Sequence, residues 1–335
     1  MLERRAVLSL AVASLAGCSS RAGREAERRI RVSVYPSLSA CPFHLALDQG
    51  YFRKAGRRVE VEQLADSTRF LPLLARGQLD VSFGALSPAL INAVLKGARI
   101  RIVAGRQRAV AGCNDGAVLY ADRRAFPGGL RDLRQLKGKR VGVTGRTNVT
   151  GFALDVILSR VGLSAADIEL KSLSHAEAAA AFLGGKLDAI AATYLDRDLE
   201  GLSPNVIRSI GLADVLPNHQ YAYVVYGVSM LDVDPDAGAR FLGAYLRGVR
   251  EFVAGKTPRF LEEYAKSNRL DPQRSREACR AYQPIDGEID VQSMQLYIDW
   301  CVRNGYCPVP AAPEALIDRR FLEGAREWAR QVEPG

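Results

Sequence analysis

The chain has 335 residues, 48% hydrophobic and 25% charged, which suits a globular protein large enough for two lobes. Its net charge of +9 is spread thinly along the chain. No basic stripe with interleaved aromatics occurs, so a nucleic-acid partner is not expected. His44, His175 and His219 stand far apart and no C-x-x-C is present, so neither a metal nor another cofactor is expected.

In chain order, the first signal is at the N-terminus. Arg4-Arg5 precedes an apolar run from Ala6 to Ala16 that ends in Leu15-Ala16-Gly17-Cys18. The run is too short for a transmembrane helix and reads as a signal peptide over residues 1–17. Its last four residues resemble a bacterial lipobox, which makes Cys18 the lipidated mature N-terminus. The protein is then expected on the periplasmic or cell-surface face, attached to the membrane through Cys18. The Arg pair also fits a twin-arginine signal, so the export route stays open. Residues 18–29 are short, charged and poor in large apolar side chains, and read as a tether.

A strand over Arg31 to Pro36 runs through a small-residue turn, Ser37 to Cys41, into one amphipathic helix from Pro42 through Phe52. A strand at Val59 to Val61 follows Gly56. Gly77-Gln78-Leu79-Asp80 leads into another short apolar strand, and Gly185-Lys186-Leu187-Asp188 repeats that arrangement. The second copy is preceded by a strand at Arg140 to Thr144 and a helix at Gly151 to Val161. Two β-α-β-α units emerge, each expected to build a parallel sheet with right-handed crossovers. Strands at Ile100 to Arg106 and Ala117 to Ala121 flank an irregular segment that carries the chain into the second lobe, and Tyr221 to Val228 carries it back. Helices at Pro235 to Ala254, Pro258 to Asn268, Val291 to Asn304 and Arg319 to Gln331 complete the chain.

The stretch Pro42-Phe43-His44-Leu45-Ala46-Leu47-Asp48-Gln49-Gly50-Tyr51-Phe52-Arg53-Lys54-Ala55-Gly56 resembles the helix after the first ligand loop in periplasmic solute-binding proteins of ABC transporters. The resemblance is to the family for nitrate, sulfonates, taurine and thiamine-pyrimidine precursors, in which a G-x-L-D turn also recurs once per lobe. It implies an α/β, type II periplasmic binding protein fold with two Rossmann-like lobes on a two-strand hinge. Lobe one would comprise residues 30–114 and 224–335, and lobe two residues 115–223. It further implies a monomer that captures a small polar or anionic organic solute and hands it to an ABC permease and ATPase.

Ligands of open α/β sheets sit at the carboxyl ends of the strands. By position, the resemblance carries the family's ligand contacts to Ser37, Ser39, Phe43, Thr68, Arg69, Leu86 and Ser87; Asn114, at the crossing, is a further candidate contact. From lobe two it adds Thr147, Asn148, Thr150, Gly151, Tyr194 and Asp196, and Tyr221 is a further candidate contact through its ring. Hydroxyl, amide and free N–H groups at Thr147 to Gly151 suit an anion at a helix N-terminus, or an ordinary helix cap. Arg69 or Arg146 could neutralise that anion, and Tyr194, Tyr221 and Tyr223 could stack on a flat ligand.

Five cysteines remain beyond Cys18. In an oxidising compartment two pairs and one free thiol are the simplest arithmetic, with one bridge among Cys279, Cys301 and Cys307 and another open to Cys41 and Cys113. No G-x-S-x-G, Walker A or G-x-G-x-x-G motif is present. Catalysis is therefore not expected. The alternatives are an enzyme of the same fold, of thiamine-pyrimidine or menaquinone type, and a ligand-binding sensor component.

Overall fold

The computed structural model describes residues 28–62, 70–113, 116–193, 203–268 and 270–332. Cys18, Thr68, Arg69, Asn114, Tyr194 and Asp196 lie outside the described residues. The first unit consists of β1 (Arg28–Val34), α1 (Cys41–Asp48), α2 (Tyr51–Lys54), β2 (Arg57–Glu62), α3 (Phe70–Ala75), β3 (Val81–Ala85), α4 (Pro88–Leu95) and β4 (Arg101–Arg108). The single helix expected over Pro42 to Phe52 is instead two. Gly50 adopts φ 68°, which ends α1 and restarts the chain as α2.

The second unit contains β5 (Val118–Asp122), β6 (Arg140–Val143), α5 (Val149–Ser159), β7 (Glu169–Ser172), α6 (His175–Leu183), β8 (Ala189–Ala192), β9 (Val206–Gly211) and α7 (Leu212–Val215). The chain returns through β10 (Gln220–Tyr226) and finishes with α8 (Pro235–Val253), α9 (Arg259–Ser267), α10 (Pro272–Glu277), α11 (Val291–Arg303) and α12 (Arg320–Val332).

Two five-stranded sheets result, ordered β2-β1-β3-β10-β4 and β7-β6-β8-β5-β9. Neither is purely parallel, contrary to the expectation. β10 runs antiparallel to β3 and β4, and β5 runs antiparallel to β8 and β9. These are the two strands by which the chain arrives from the other sheet. A strand that arrives at the edge where the parallel strands end must run the opposite way. The two crossings lie side by side, with Ala109 N donating to His219 O and Asn218 N to Ala109 O, both at 2.8 Å.

The repeat noticed in the sequence has a physical basis. Asp80 accepts the backbone N–H of Arg31 at 2.7 Å and also its guanidinium, whose Nη2 reaches the Gly77 carbonyl. In the second sheet Asp188 accepts the N–H of Arg140 at 2.8 Å and its guanidinium, and Nη2 of Arg140 reaches the Gly185 carbonyl. Each glycine turns in the left-handed region, φ 64° and 72°, which aims its carbonyl back at the arginine.

Aromatic packing welds α8 to the first sheet. Phe241 stacks on Phe52 at 4.8 Å, Tyr245 lies against Phe83 at 4.8 Å, and Phe321 of α12 meets Tyr226 edge-on at 5.0 Å. α12 therefore packs on the first sheet. α11 packs against β10 and α4 and reaches across as well. Its Tyr297 donates to the Thr147 carbonyl and Trp300 Nε1 donates to Asp155 at 2.9 Å, so it also fastens α5 of the second unit.

The Asp80 clasp is the more buried of the two: Asp80 and Arg31 side chains are 3% and 34% exposed, against 12% and 42% for Asp188 and Arg140. Asp80→Ala is expected to lower the unfolding free energy by about 3 kcal/mol and Asp188→Ala by less, since removing one partner of a buried pair strands the other. Urea denaturation of both variants checks this, and an equal or inverted ranking would show that burial does not set the cost.

Candidate functional site

Loop one is held from beneath. Ser37 and Ser39 are both buried and their hydroxyls lie 2.7 Å apart. Arg106, on β4 and only 5% exposed, donates Nη2 to Ser39 Oγ at 2.7 Å and to Ser39 O at 3.1 Å. Phe43 faces the core, against Phe52 at 5.5 Å and Phe83 at 5.3 Å. Ser87 caps α4 by accepting from Leu90 N at 3.2 Å.

The Thr147 to Gly151 turn is satisfied internally. Asn148 is the N-cap of α5: its Oδ1 accepts from Thr150 N at 2.8 Å and Thr150 Oγ1 at 2.7 Å. Thr147 receives the Tyr297 hydroxyl on its carbonyl. Gly151 lies where a Cβ would fall 2.0 Å from Arg146 O. Arg146, in the turn before α5, is 3.7 Å from Asp155 of that helix. Tyr223 is buried and donates to Gln220 O at 3.0 Å. Leu86 and Tyr221 do converge on this turn, around a void of about 10 Å³ shared with Val149, Phe152, His219 and Tyr297. That volume is enough for one water at most.

A larger cavity, of about 430 Å³, opens on the other side of loop one. Leu38 and Ser39 bring the sequence-predicted loop to its wall. Gln107, Gly112 and Cys113 of the first crossing line it, as do Arg208 and Asp214 of the second unit. The remaining wall comes from Phe252, Leu261 and the segment Leu270 to Tyr282. A disulfide between Cys113 and Cys279 joins that segment to the crossing. This pairing replaces the expected ones: Cys41, Cys301 and Cys307 are thiols, so neither a Cys41–Cys113 bridge nor any bridge among Cys279, Cys301 and Cys307 is present. Cys41 is instead buried in an apolar cluster with Leu45, Phe252 and Leu261.

Arg280 supplies the charge. Its Nη1 donates to Phe252 O at 2.6 Å and Lys256 O at 3.0 Å, and Nη2 to Arg276 O at 2.7 Å. The guanidinium also lies 4.4 Å over the Phe252 ring. Carbonyls fix its position without cancelling its charge, and no carboxylate among the described residues pairs with it. The neighbours that act on it electrostatically are the Cys41 thiol and the Tyr282 phenol. Sequence reasoning missed Arg280, Gln107, Arg208 and Tyr282. Only Cys279, beside Arg280, offered a signal, through its bond to the crossing.

The NMT1/THI5 like family profile matches residues 38–255, more than half of the chain. The chain belongs to the NMT1/THI5-like family. A search of curated proteins returns no significant match. Among solved structures, the alkanesulfonate-binding protein SsuA from Xanthomonas axonopodis pv. citri, bound to MOPS, is similar with a TM-score of 0.68 at 18% identity, covering 87% of this chain and 98% of that one. The periplasmic nitrate-binding protein NrtA from Synechocystis PCC 6803 gives a TM-score of 0.68 at 13% identity, with 92% and 89% covered. The desulfurization enzyme DSZB gives a TM-score of 0.61 at 13% identity, with 90% and 99% covered. The NMT1/THI5-like chain thus has the periplasmic binding protein fold.

His219, at the second crossing, gives this region a pH signature. It is 3% exposed, stacks on Phe152 at 4.9 Å, and burial lowers its pKa from 6.5 to about 4, against a smaller opposing pull from Asp290. Unfolded, it takes a proton near pH 6.5; folded, not until about 4. Its contribution is therefore fully present above pH 6.5 and is lost as pH falls towards 4, by up to roughly 3 kcal/mol. His219→Phe keeps the stacked ring and should make the stability–pH curve less steep in that window, leaving the part that His44 contributes. Denaturant midpoints from pH 7 to 4.5 test this; an unchanged slope rules the histidine out as its source.

Proposed function

We propose that this NMT1/THI5-like protein is an extracytoplasmic solute-binding lipoprotein that delivers a small, anion-bearing organic molecule to an ABC permease and ATPase. The observation that carries this reading is the cavity of about 430 Å³ between loop one, the first crossing and the second unit, with the Arg280 charge in its wall. Its size suits a small organic ligand and greatly exceeds a bare oxyanion such as nitrate. Apolar side chains (Leu38, Phe252, Leu261, Leu270) would take the body of the solute, and the guanidinium its charged end. Thr68, Arg69, Asn114, Tyr194 and Asp196 are proposed as further contacts from the loops that follow the strands. Among the described residues no helix is long and apolar enough to cross a membrane, and attachment is assigned to a lipid on Cys18.

A second reading, an enzyme of this fold, rests on the Cys41 thiol in the cavity wall and on the shared fold of a desulfurization enzyme. Burial works against it, because it pushes the thiol up to about 12 and leaves it protonated at neutral pH. His44, three residues along α1, is held near 4 by burial and stacks on Phe260 at 3.9 Å. Capture without chemistry is the reading adopted.

Organic sulfonates are expected to raise the melting temperature, as any ligand of the native state does. Arg280→Gln should weaken their binding by about ten- to a hundredfold, the value of one charge-assisted hydrogen bond, while Arg280→Lys retains part of it. Calorimetric titration decides the matter; binding confined to neutral sugars or peptides would contradict the assignment. Anchoring is tested separately: Cys18→Ala should abolish labelling by a radioactive fatty acid, and persistent labelling would remove the lipid from Cys18.

A further inference from the structure

We infer that Cys301 and Cys307 close into a second disulfide in the mature protein. The two cysteines bracket the C-terminal end of α11. Past Arg303 the chain turns through Gly305, at φ 72°, and folds back on itself. Tyr306 N and Cys307 N then both donate to the Cys301 carbonyl, at 2.8 and 3.3 Å. A backbone N–H bonded to the other cysteine's carbonyl brings the two Cα atoms to the separation a disulfide spans, and each thiol is among the neighbours that act electrostatically on the other. Both residues are buried, at 0% and 2% exposure. Cys41 sits in a different apolar cluster, so each of this pair has the other as its natural partner.

The chain already carries Cys113–Cys279, which links residues 166 positions apart. A compartment that oxidises so distant a pair supplies the oxidant for a near one. Closure removes two protons and two electrons from the thiols. A disulfide of the thiol–disulfide oxidoreductase class accepts them and is reduced to two thiols, through a mixed disulfide that the second cysteine resolves. Both sulfurs are shut off from solvent in the folded corner, so exchange with an external oxidant precedes its final packing. Once formed, the bond fixes the end of the helix whose Tyr297 and Trp300 hold Thr147 and Asp155 of the second unit. This inference stands independently of the ligand assignment.

The test is a disulfide map of the full chain, exported or refolded in a glutathione redox buffer and digested with trypsin after maleimide blocking. Preparations with Cys113–Cys279 closed are the ones scored. Peptides 281–303 and 304–319, which trypsin separates at Arg303, should then run as one linked species that parts on reduction. In addition, Cys301→Ser and Cys307→Ser should each lower the melting temperature as much as the double substitution does, because either one removes the same bond. Maleimide on both cysteines, or single-variant losses that add in the double variant, would overturn the inference.

Discussion

In each sheet an arginine of one strand, Arg31 in the middle of β1 or Arg140 at the start of β6, gives its backbone N–H and its guanidinium to an aspartate at the foot of the neighbouring strand, Asp80 or Asp188. The same guanidinium reaches the glycine carbonyl that ends the preceding helix turn. Strand, turn and strand are thereby locked in one register by a single side chain. A carboxylate this buried depends on its donors, the arginine and, for Asp80, the Ser229 hydroxyl as well, so the turn cannot drift without stranding a charge. Loop positions at the far ends of these strands inherit their placement from that contact.

Because the clasp occurs once per sheet, the molecule is two copies of one solution joined by strands that must run against the local direction. β5 and β10 each enter at the edge where the parallel strands finish, and the crossings hydrogen-bond to one another. The larger cavity opens beside this joint. One of its walls, the segment near Cys279, is covalently tied to the first crossing. Loop one, at its opposite wall, is propped by the buried Arg106.

Much of this was legible in the residues. Gly77-Gln78-Leu79-Asp80 and Gly185-Lys186-Leu187-Asp188 announced the two units, and prolines, caps and glycines set helix limits to within a few residues. What the pattern could not supply was direction and distance. Alternation of apolar residues is the same for a strand running up or down, so the antiparallel β5 and β10 were invisible. Asp80 looked like a turn residue because its partner lies 49 positions upstream. Cys113 and Cys279 pair across 166 residues, and no spacing rule reaches that far. Arg280 stands in an irregular stretch whose only periodicity belongs to neighbouring helices. Conversely, Phe43 has the position of a ligand contact, yet an aromatic on the apolar face of α1 finds Phe52 and Phe83 before it finds solvent.

The bridging role of α11 has an optical consequence. The chain contains only two tryptophans, Trp300 and Trp328. Trp328 packs over Gly243, where both residues belong to the α8–α12 pair of the first unit. Trp300 is bonded to Asp155 and lies edge-on to Phe152, both on α5 of the second unit. One indole thus straddles the two units while the other rides within one of them. The protein carries its own paired fluorophores, one reporting on displacement between the units and one serving as internal reference.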